Sequence, residues 1–201
     1  MHVGGQDMPA HDPRHSSGHV WGYIINATPA RHTASQIKDG FDMGVPTSPM
    51  GNRLDRIDPW DWDANATQFV RASYYDRVWT SAGLCIFSYY PETLPFAETI
   101  SAITGWDFTI EEAEQVGQRI QNLLQAFNIR EGISPSAWKY PKRLSVPQST
   151  GPNEGRGLDS ADIKKKAYTA FGWDPETGQP LDSTLEDVGL DKLIHEFSHQ
   201  N

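Results

Sequence analysis

The stretch "FTIEEAEQVGQRIQNLLQAFNIREG", residues 108–132, decides the fold. Thr109 and Glu112 have the spacing of a capping box, in which each side chain accepts a hydrogen bond from the other residue's main-chain N–H. Apolar residues then recur every three or four positions, which predicts an amphipathic helix. Gly132 follows, and glycine is common just past a helix end. The predicted inward face consists of Ile110, Ala113, Val116, Ile120, Leu123, Leu124 and Phe127.

Similar signals on both sides of this stretch predict further helices. Asp63 is a candidate N-cap for the helix that carries Phe69 and Val78. Pro95 and Gly105 bracket another helix, and Ser160 and Gly172 bracket a third. The segment before Pro29 is also expected to be helical, and residues 183–197 hold one or two short helices around Gly189. No alternating strand pattern occurs, so the sequence predicts an all-α, multihelical fold.

Long irregular connections separate some of these helices. Residues 38–63 and 133–157 are rich in proline, glycine and polar side chains. Both exceed the usual connection length in a compact domain, so we expect them to cover another surface. The predicted division is a helical region at 1–132, an irregular linker at 133–158 and a small C-terminal helical region at 159–201.

Composition excludes several classes of protein. The chain has 201 residues and a formal net charge of −9, with no long basic run, which argues against a nucleic-acid partner. The N-terminus lacks the apolar segment of a signal peptide, and no apolar run approaches the roughly 20 residues of a membrane span. A single cysteine fits a reducing compartment, so we predict a cytoplasmic protein.

That single cysteine, Cys85, follows Gly83 and Leu84 at the predicted end of a helix. It is a candidate nucleophile, cluster ligand or small buried hydrophobe, and the residues alone favour a buried, inert thiol. The glycine allows the backbone to approach another group closely.

The histidines give a weaker signal. His2, His11, His15 and His19 show no repeating ligand spacing, and most of them are expected at the surface or in turns. His32 follows a helix broken by Pro29, where a side chain can face a cleft, although its spacing alone favours a structural role. The pattern "HEFSH", residues 195–199, matches H-E-x-x-H and makes zinc hydrolysis an alternative, although no third ligand follows it.

Five ordered segments resemble one family. The chain is similar to the C-terminal domains of the tungsten-containing aldehyde ferredoxin oxidoreductases over residues 1 to about 194. The segments are "MPAHDPR", "NATPARHT", "SAGLCIF", "ITGWDFTIEEAEQVGQRIQNLLQAFNIREGI" and "AFGWDPETGQPLDSTLEDVGLDKL".

The resemblance implies an oxidoreductase that converts aldehydes to carboxylic acids. Its cofactors would be tungstopterin or molybdopterin, with two pterins on one metal ion, and a [4Fe-4S] cluster that passes electrons to ferredoxin or an electron-transfer subunit. Carried over, Cys85 is the fourth cluster ligand, and Thr80, Gly83 and Leu84 contact a pterin. His32 lies near the metal and assists proton transfer.

Two departures from the family pattern limit this expectation. Family members supply three cluster cysteines in a C-x-x-C-x-x-x-C run upstream of the matched region, and Cys85 is the only cysteine here. Many members have aspartate where this chain has Thr80, which keeps a hydroxyl but no carboxylate. We therefore expect activity only together with the family's N-terminal portion. The alternative is a stand-alone helical binding or assembly module without catalysis.

Overall fold

The computed structural model describes residues 1–34, 37–38, 42, 56–89 and 94–194. Most of the 38–63 connection and the whole "HEFSH" pattern lie outside these residues. The fold is mostly helical, as predicted. The α-helices are α1 (Ser17–Ile25), α2 (Trp62–Ser81), α3 (Phe96–Thr104), α4 (Ile110–Arg130), α5 (Lys142–Ser145), α6 (Ser160–Phe171) and α7 (Asp182–Asp187), and a short antiparallel pair joins β1 (His2–Val3) to β2 (Gln6–Asp7).

Helices α2 and α4 lie side by side and run in the same direction. Arg71 donates to Glu114 at 2.9 Å, and six residues later Arg77 Nε donates to Gln121 Oε1 at 2.6 Å. Gly117 allows the close approach, because a Cβ there would lie 1.9 Å from the carbonyl oxygen of Tyr74. The C-terminal ends of the two helices therefore share one end of the molecule.

The helix boundaries confirm most of the sequence signals. Thr109 and Glu112 form the predicted capping box, and Gly105 and Gly172 adopt left-handed conformations after α3 and α6. Two N-caps were predicted wrongly. Asp61 caps α2 in place of Asp63, and Asp159 caps α6 in place of Ser160. Asp61 accepts one main-chain N–H of the first turn and Asp159 accepts two.

The predicted inward face of α4 is only half right. Ala113 is buried and Val116 partly so, but Leu123, Leu124 and Phe127 are exposed. Amide side chains are buried in that half instead, because polar partners face them. The bonds run from Trp173 Nε1 to Asn122 Oδ1 at 2.7 Å, from Gln125 Nε2 to Gly178 O at 2.8 Å and from Asn128 Nδ2 to Ala27 O at 2.9 Å.

Two main apolar clusters hold the helices together. One joins α1, the first half of α2 and α6 around Trp21, Phe69 and Phe171. The other joins the second half of α2 to α3 and the start of α4 around Trp79 and Phe96. The irregular 133–157 stretch packs onto the first cluster through Tyr140 and Leu144.

Candidate functional site

The C-terminal end of α2 and the turn that follows it, residues 80–85, carry four of the five predicted site residues. Gly83 N donates to Thr80 O at 3.1 Å, and Leu84 N donates to Trp79 O at 3.3 Å. Gly83 adopts a φ of 80°, which glycine tolerates better than other residues. We call this segment the Cys85 turn.

Cys85 is exposed, so the expectation of a buried inert thiol was wrong. Its backbone is nonetheless held firmly, because its carbonyl oxygen accepts three hydrogen bonds. These come from Ser88 N at 3.0 Å, Ser88 Oγ at 2.5 Å and Trp79 Nε1 at 3.1 Å. A fixed backbone with an outward thiol suits a ligand for a group that approaches from outside the chain.

The other three predicted site residues of the turn differ in their exposure and in their contacts. Gly83 is exposed, and a Cβ added there would meet nothing within 4 Å. Leu84 is half-buried and packs against the Trp79 cluster. Thr80 is exposed, and its hydroxyl donates to Asp76 O at 2.8 Å, so its hydroxyl proton is used within α2 while its oxygen can still accept.

His32 lies in a 3₁₀ turn, His32–Ala34, close after α1. The chain reaches it through Ala30, whose φ of 58° is left-handed and whose N–H donates to Tyr23 O at 2.9 Å. Asn26 Oδ1 accepts a hydrogen bond from Arg77, one turn before Thr80 in α2. The segment that leads to His32 is therefore anchored at the end of α2 that carries the Cys85 turn.

Sequence reasoning missed a cluster of imidazoles around His32. The ring centroid of His32 lies 4.8 Å from that of His11 and 5.6 Å from that of His19. His19 also contacts His11 at 5.4 Å and His15 at 4.9 Å. His19 was expected at the surface but is buried, while His11 and His15 are exposed as predicted. The interpretation that these histidines lack a repeating spacing was wrong, since His11, His15 and His19 are four residues apart.

A separate cavity of about 940 Å³ lies between α6 and residues 136–147. Lys164 lines it and donates to Trp138 O at 2.8 Å. Burial, reinforced by the charge of Lys139, lowers the pKa of Lys164 to about 8. None of the predicted site residues lines this cavity.

Within the described residues, no three His, Cys, Asp or Glu side chains are arranged to hold a metal ion together. In the same part of the chain, no helix combines the length and the apolar character that crossing a membrane requires. Cys85 alone supplies a thiolate, so a cluster bound here would need ligands from beyond this set.

Residues 1–190 match the family model described as "Aldehyde ferredoxin oxidoreductase, domains 2 & 3". The chain belongs to this family. It is 29% identical over 198 residues to the tungsten-containing aldehyde ferredoxin oxidoreductase of Pyrococcus horikoshii, and 29% identical over 194 residues to that of Pyrococcus furiosus. These matches cover 96% and 94% of this chain but 31% of each relative. The chain thus spans about a third of the length of the curated relatives that it matches.

A solved structure shares the fold. It is the "Active site complex BamBC of Benzoyl Coenzyme A reductase in complex with 1,5 Dienoyl-CoA", with a TM-score of 0.58 and 18% identity. The likeness covers 90% of this chain and 31% of that chain. At that identity it supports the helical architecture alone.

The residues of the Cys85 turn fit the cofactors that the family implies. An exposed thiol suits an iron–sulfur cluster. The open space at Gly83 admits a bulky ring system next to the main chain. The Thr80 oxygen can accept one N–H where a carboxylate would accept two.

Proposed function

We propose that this chain is the C-terminal portion of an oxidoreductase that oxidises aldehydes to carboxylic acids. The cofactors are a tungsten or molybdenum ion held by two pterins and a [4Fe-4S] cluster, and the electrons leave to ferredoxin or an electron-transfer subunit. Family membership supports this proposal, and one observation carries it. The chain's single thiol is exposed on a backbone fixed by three hydrogen bonds, beside a glycine with open space around it.

Each predicted site residue has a proposed role. Cys85 provides one thiolate to the cluster, and Gly83 and Leu84 shape the main chain against a pterin. Thr80 accepts a pterin N–H through its hydroxyl oxygen. His32 donates a hydrogen bond to the aldehyde oxygen and polarises the carbonyl, or it moves a proton. The metal and the cluster, when bound, supply the redox chemistry, and the protein supplies position and electrostatics.

The partner that completes the site is the family's N-terminal portion. The chain matches only 31% of its relatives' length, which supports a partner of that kind. We keep the division at 1–132, 133–158 and 159–201 as a prediction, with the first region contacting the cofactors. We also propose a cytoplasmic location, since the lone exposed thiol suits a reducing compartment.

The deciding experiment produces the chain together with that N-terminal portion and compares Cys85→Ser with Ser81→Ala. Ser81 is the last residue of α2 and is exposed, but it has no assigned role, so it serves as the matched control. We expect Cys85→Ser to lose most of the cluster's iron, its electron paramagnetic resonance signal and aldehyde oxidation. Ser81→Ala should keep all three.

The result also separates the proposal from the stand-alone binding module. If the unaltered assembly contains no iron, tungsten or molybdenum, the oxidoreductase proposal fails and the module remains. If it contains metal but Cys85→Ser retains a full cluster, Cys85 is not a ligand.

A further inference from the structure

The imidazole cluster around His32 joins three separate segments of the chain. His11 precedes the first 3₁₀ turn, His15 ends that turn, His19 lies in α1, and His32 begins the turn after Ala30. Neighbouring ring centroids are 4.8–5.6 Å apart. At such separations, imidazole nitrogens can exchange a proton once the rings turn toward each other or through one water molecule.

The four histidines differ in their exposure to solvent, which sets the direction in which a proton can leave. His19 is buried, with 5% of its surface accessible, whereas His32 is half-buried. His11 and His15 are exposed, so each can exchange protons with solvent. Two routes therefore leave His32, one directly through His11 and one through His19 to His15.

The hydrogen bond of His15 leaves one of its ring nitrogens able to accept a proton. Its Nδ1 lies 2.8 Å from Asp12 O. A carbonyl oxygen only accepts hydrogen bonds, so Nδ1 carries the proton and Nε2 of the neutral ring is left as an acceptor. His15 can therefore take a proton on Nε2 without breaking this contact.

Two other uses of the cluster fit less well. The rings of His19 and His32 are stacked, with 8° between their planes, so their nitrogens do not converge on one point as metal ligands must. A metal site is thus disfavoured, in agreement with the absence of any ligating group of three in the described part of the chain. A proton passes between these two rings only when one ring turns or a water molecule bridges them. A purely structural role does not need four titratable rings together, where charging one opposes charging the next.

We propose that His11 and His19 accept protons from His32 and deliver them to solvent, directly from His11 and through His15 from His19. The inference rests on the proposed function. Oxidation of an aldehyde with one water gives a carboxylic acid, two protons and two electrons. A C–O bond forms while C–H and O–H bonds break. The electrons pass to one-electron acceptors of the ferredoxin class, and the protons leave through the imidazoles.

The test uses the assembled enzyme and the double variant His11→Gln/His19→Gln, which removes both ring neighbours of His32. We expect kcat to fall roughly tenfold or more, the solvent deuterium isotope effect on kcat to rise, and added imidazole to restore part of the rate. Each single variant should lose less, because the other route remains. His2→Gln is the control, since His2 is an exposed histidine on β1 that contacts none of the cluster rings in the described structure.

A second readout does not depend on turnover. In the ¹⁵N-labelled chain, exchange of the His32 ring N–H with water should slow in the double variant and stay unchanged in His2→Gln. His19→Phe keeps a ring at the buried position and serves as the second variant if His19→Gln does not fold.

The outcomes separate the two proposals. If His32→Gln leaves kcat unchanged, the role of His32 in the proposed function fails. If His32→Gln lowers kcat but the folded double variant changes neither kcat, the isotope effect nor N–H exchange, the relay is wrong and the proposed function stands. A loss that imidazole does not restore, with no change in N–H exchange, also overturns the relay.

Discussion

Helices α2 and α6 end in the same backbone turn but in different surroundings. In both, the glycine N–H and the N–H after it bond to carbonyl groups three and five residues earlier. Gly83 and Gly172 both have left-handed backbones, with φ values of 80° and 73°. At the second turn, a Cβ on Gly172 would lie 2.4 Å from Thr184 Oγ1, and Trp173 is buried. At the first, Gly83 faces open space.

The Gly172 turn is packed within the fold, whereas the Cys85 turn is open to solvent. The Gly172 turn is filled by the chain's own side chains, so its sequence serves stability. The Cys85 turn fixes its main chain equally well but leaves Cys85 exposed, as the proposed cofactor site requires. Substitutions at matching positions should therefore affect stability at one turn and cofactor binding at the other.

The residues after the two glycines should show the largest contrast. Trp173 stacks on Phe171 at 4.3 Å and donates to Asn122 at 2.7 Å. We expect Trp173→Ala to lower the free energy of unfolding by about 4 kcal/mol, because it leaves a cavity and an unpaired buried amide. Leu84 is half-buried, so Leu84→Ala should cost about 1–2 kcal/mol. Denaturant unfolding measures both, and equal losses would contradict the comparison.

The glycines themselves give the next contrast. Gly172→Ala combines a left-handed backbone with a clash against Thr184 and should cost about 2–3 kcal/mol. Gly83→Ala carries only the backbone cost, about 1 kcal/mol. In the assembled enzyme, the ranking should reverse for iron and pterin content, with Gly83→Ala losing more. If Gly83→Ala keeps full cofactor content, the open space at this turn has no role in binding.

The sequence predicts the two turns equally well but not the difference between them. Gly83 and Gly172 each follow a helical pattern, and local pattern determines the turn. Whether a turn is filled depends on distant residues such as Thr184, which no local rule reveals. The burial of Cys85 was predicted wrongly for the same reason, since thiols are usually buried but this one is exposed.

The second half of α4 shows a similar limit. Periodicity places Leu123 and Phe127 inward, but Trp173 and main-chain carbonyl groups draw the amide face of the helix into the interior. The histidine cluster could have been suspected from the spacing of His11, His15 and His19. Its junction with His32 depends on the fold of residues 26–31.

Helix α6, which ends at the Gly172 turn, carries a buried lysine, Lys164. The pKa of Lys164 is lowered to about 8 by burial and by Lys139, so the unfolded chain binds more protons than the folded chain between pH 8 and its ordinary value of 10.5. The free energy of unfolding should therefore rise with pH in this window, by about 1–2 kcal/mol between pH 8 and 10. Above pH 10, the raised pKa values of Tyr74 and Tyr168 act in the opposite direction.

Lys164→Met should flatten this rise, whereas Lys165→Met, at an exposed neighbour, should keep it. Unfolding titrations at several pH values between 8 and 10 measure both. A slope that persists in Lys164→Met would assign the pH dependence to another group.

The smallest effect on the free energy of unfolding is expected for substitution of the exposed apolar side chains beside the Cys85 turn. The α2–α4 register places Leu124 at the level of Thr80, and Leu123 and Phe127 are each about half accessible to solvent. Apolar side chains exposed in this way favour contact with a partner surface. We therefore expect Leu123→Gln/Phe127→Gln to change the free energy of unfolding by less than about 0.5 kcal/mol while lowering hydrophobic-dye binding and weakening assembly with the N-terminal portion.

The buried neighbour on the same helix provides the control for this pair. Asn122→Ala removes the acceptor of the Trp173 indole N–H and should cost about 1–3 kcal/mol without changing dye binding. If the double variant instead unfolds as readily as Asn122→Ala, these side chains are packed in solution. The surface beside the Cys85 turn would then be covered by the chain itself. The Cys85 turn and the Gly172 turn would differ only in the open space around Gly83.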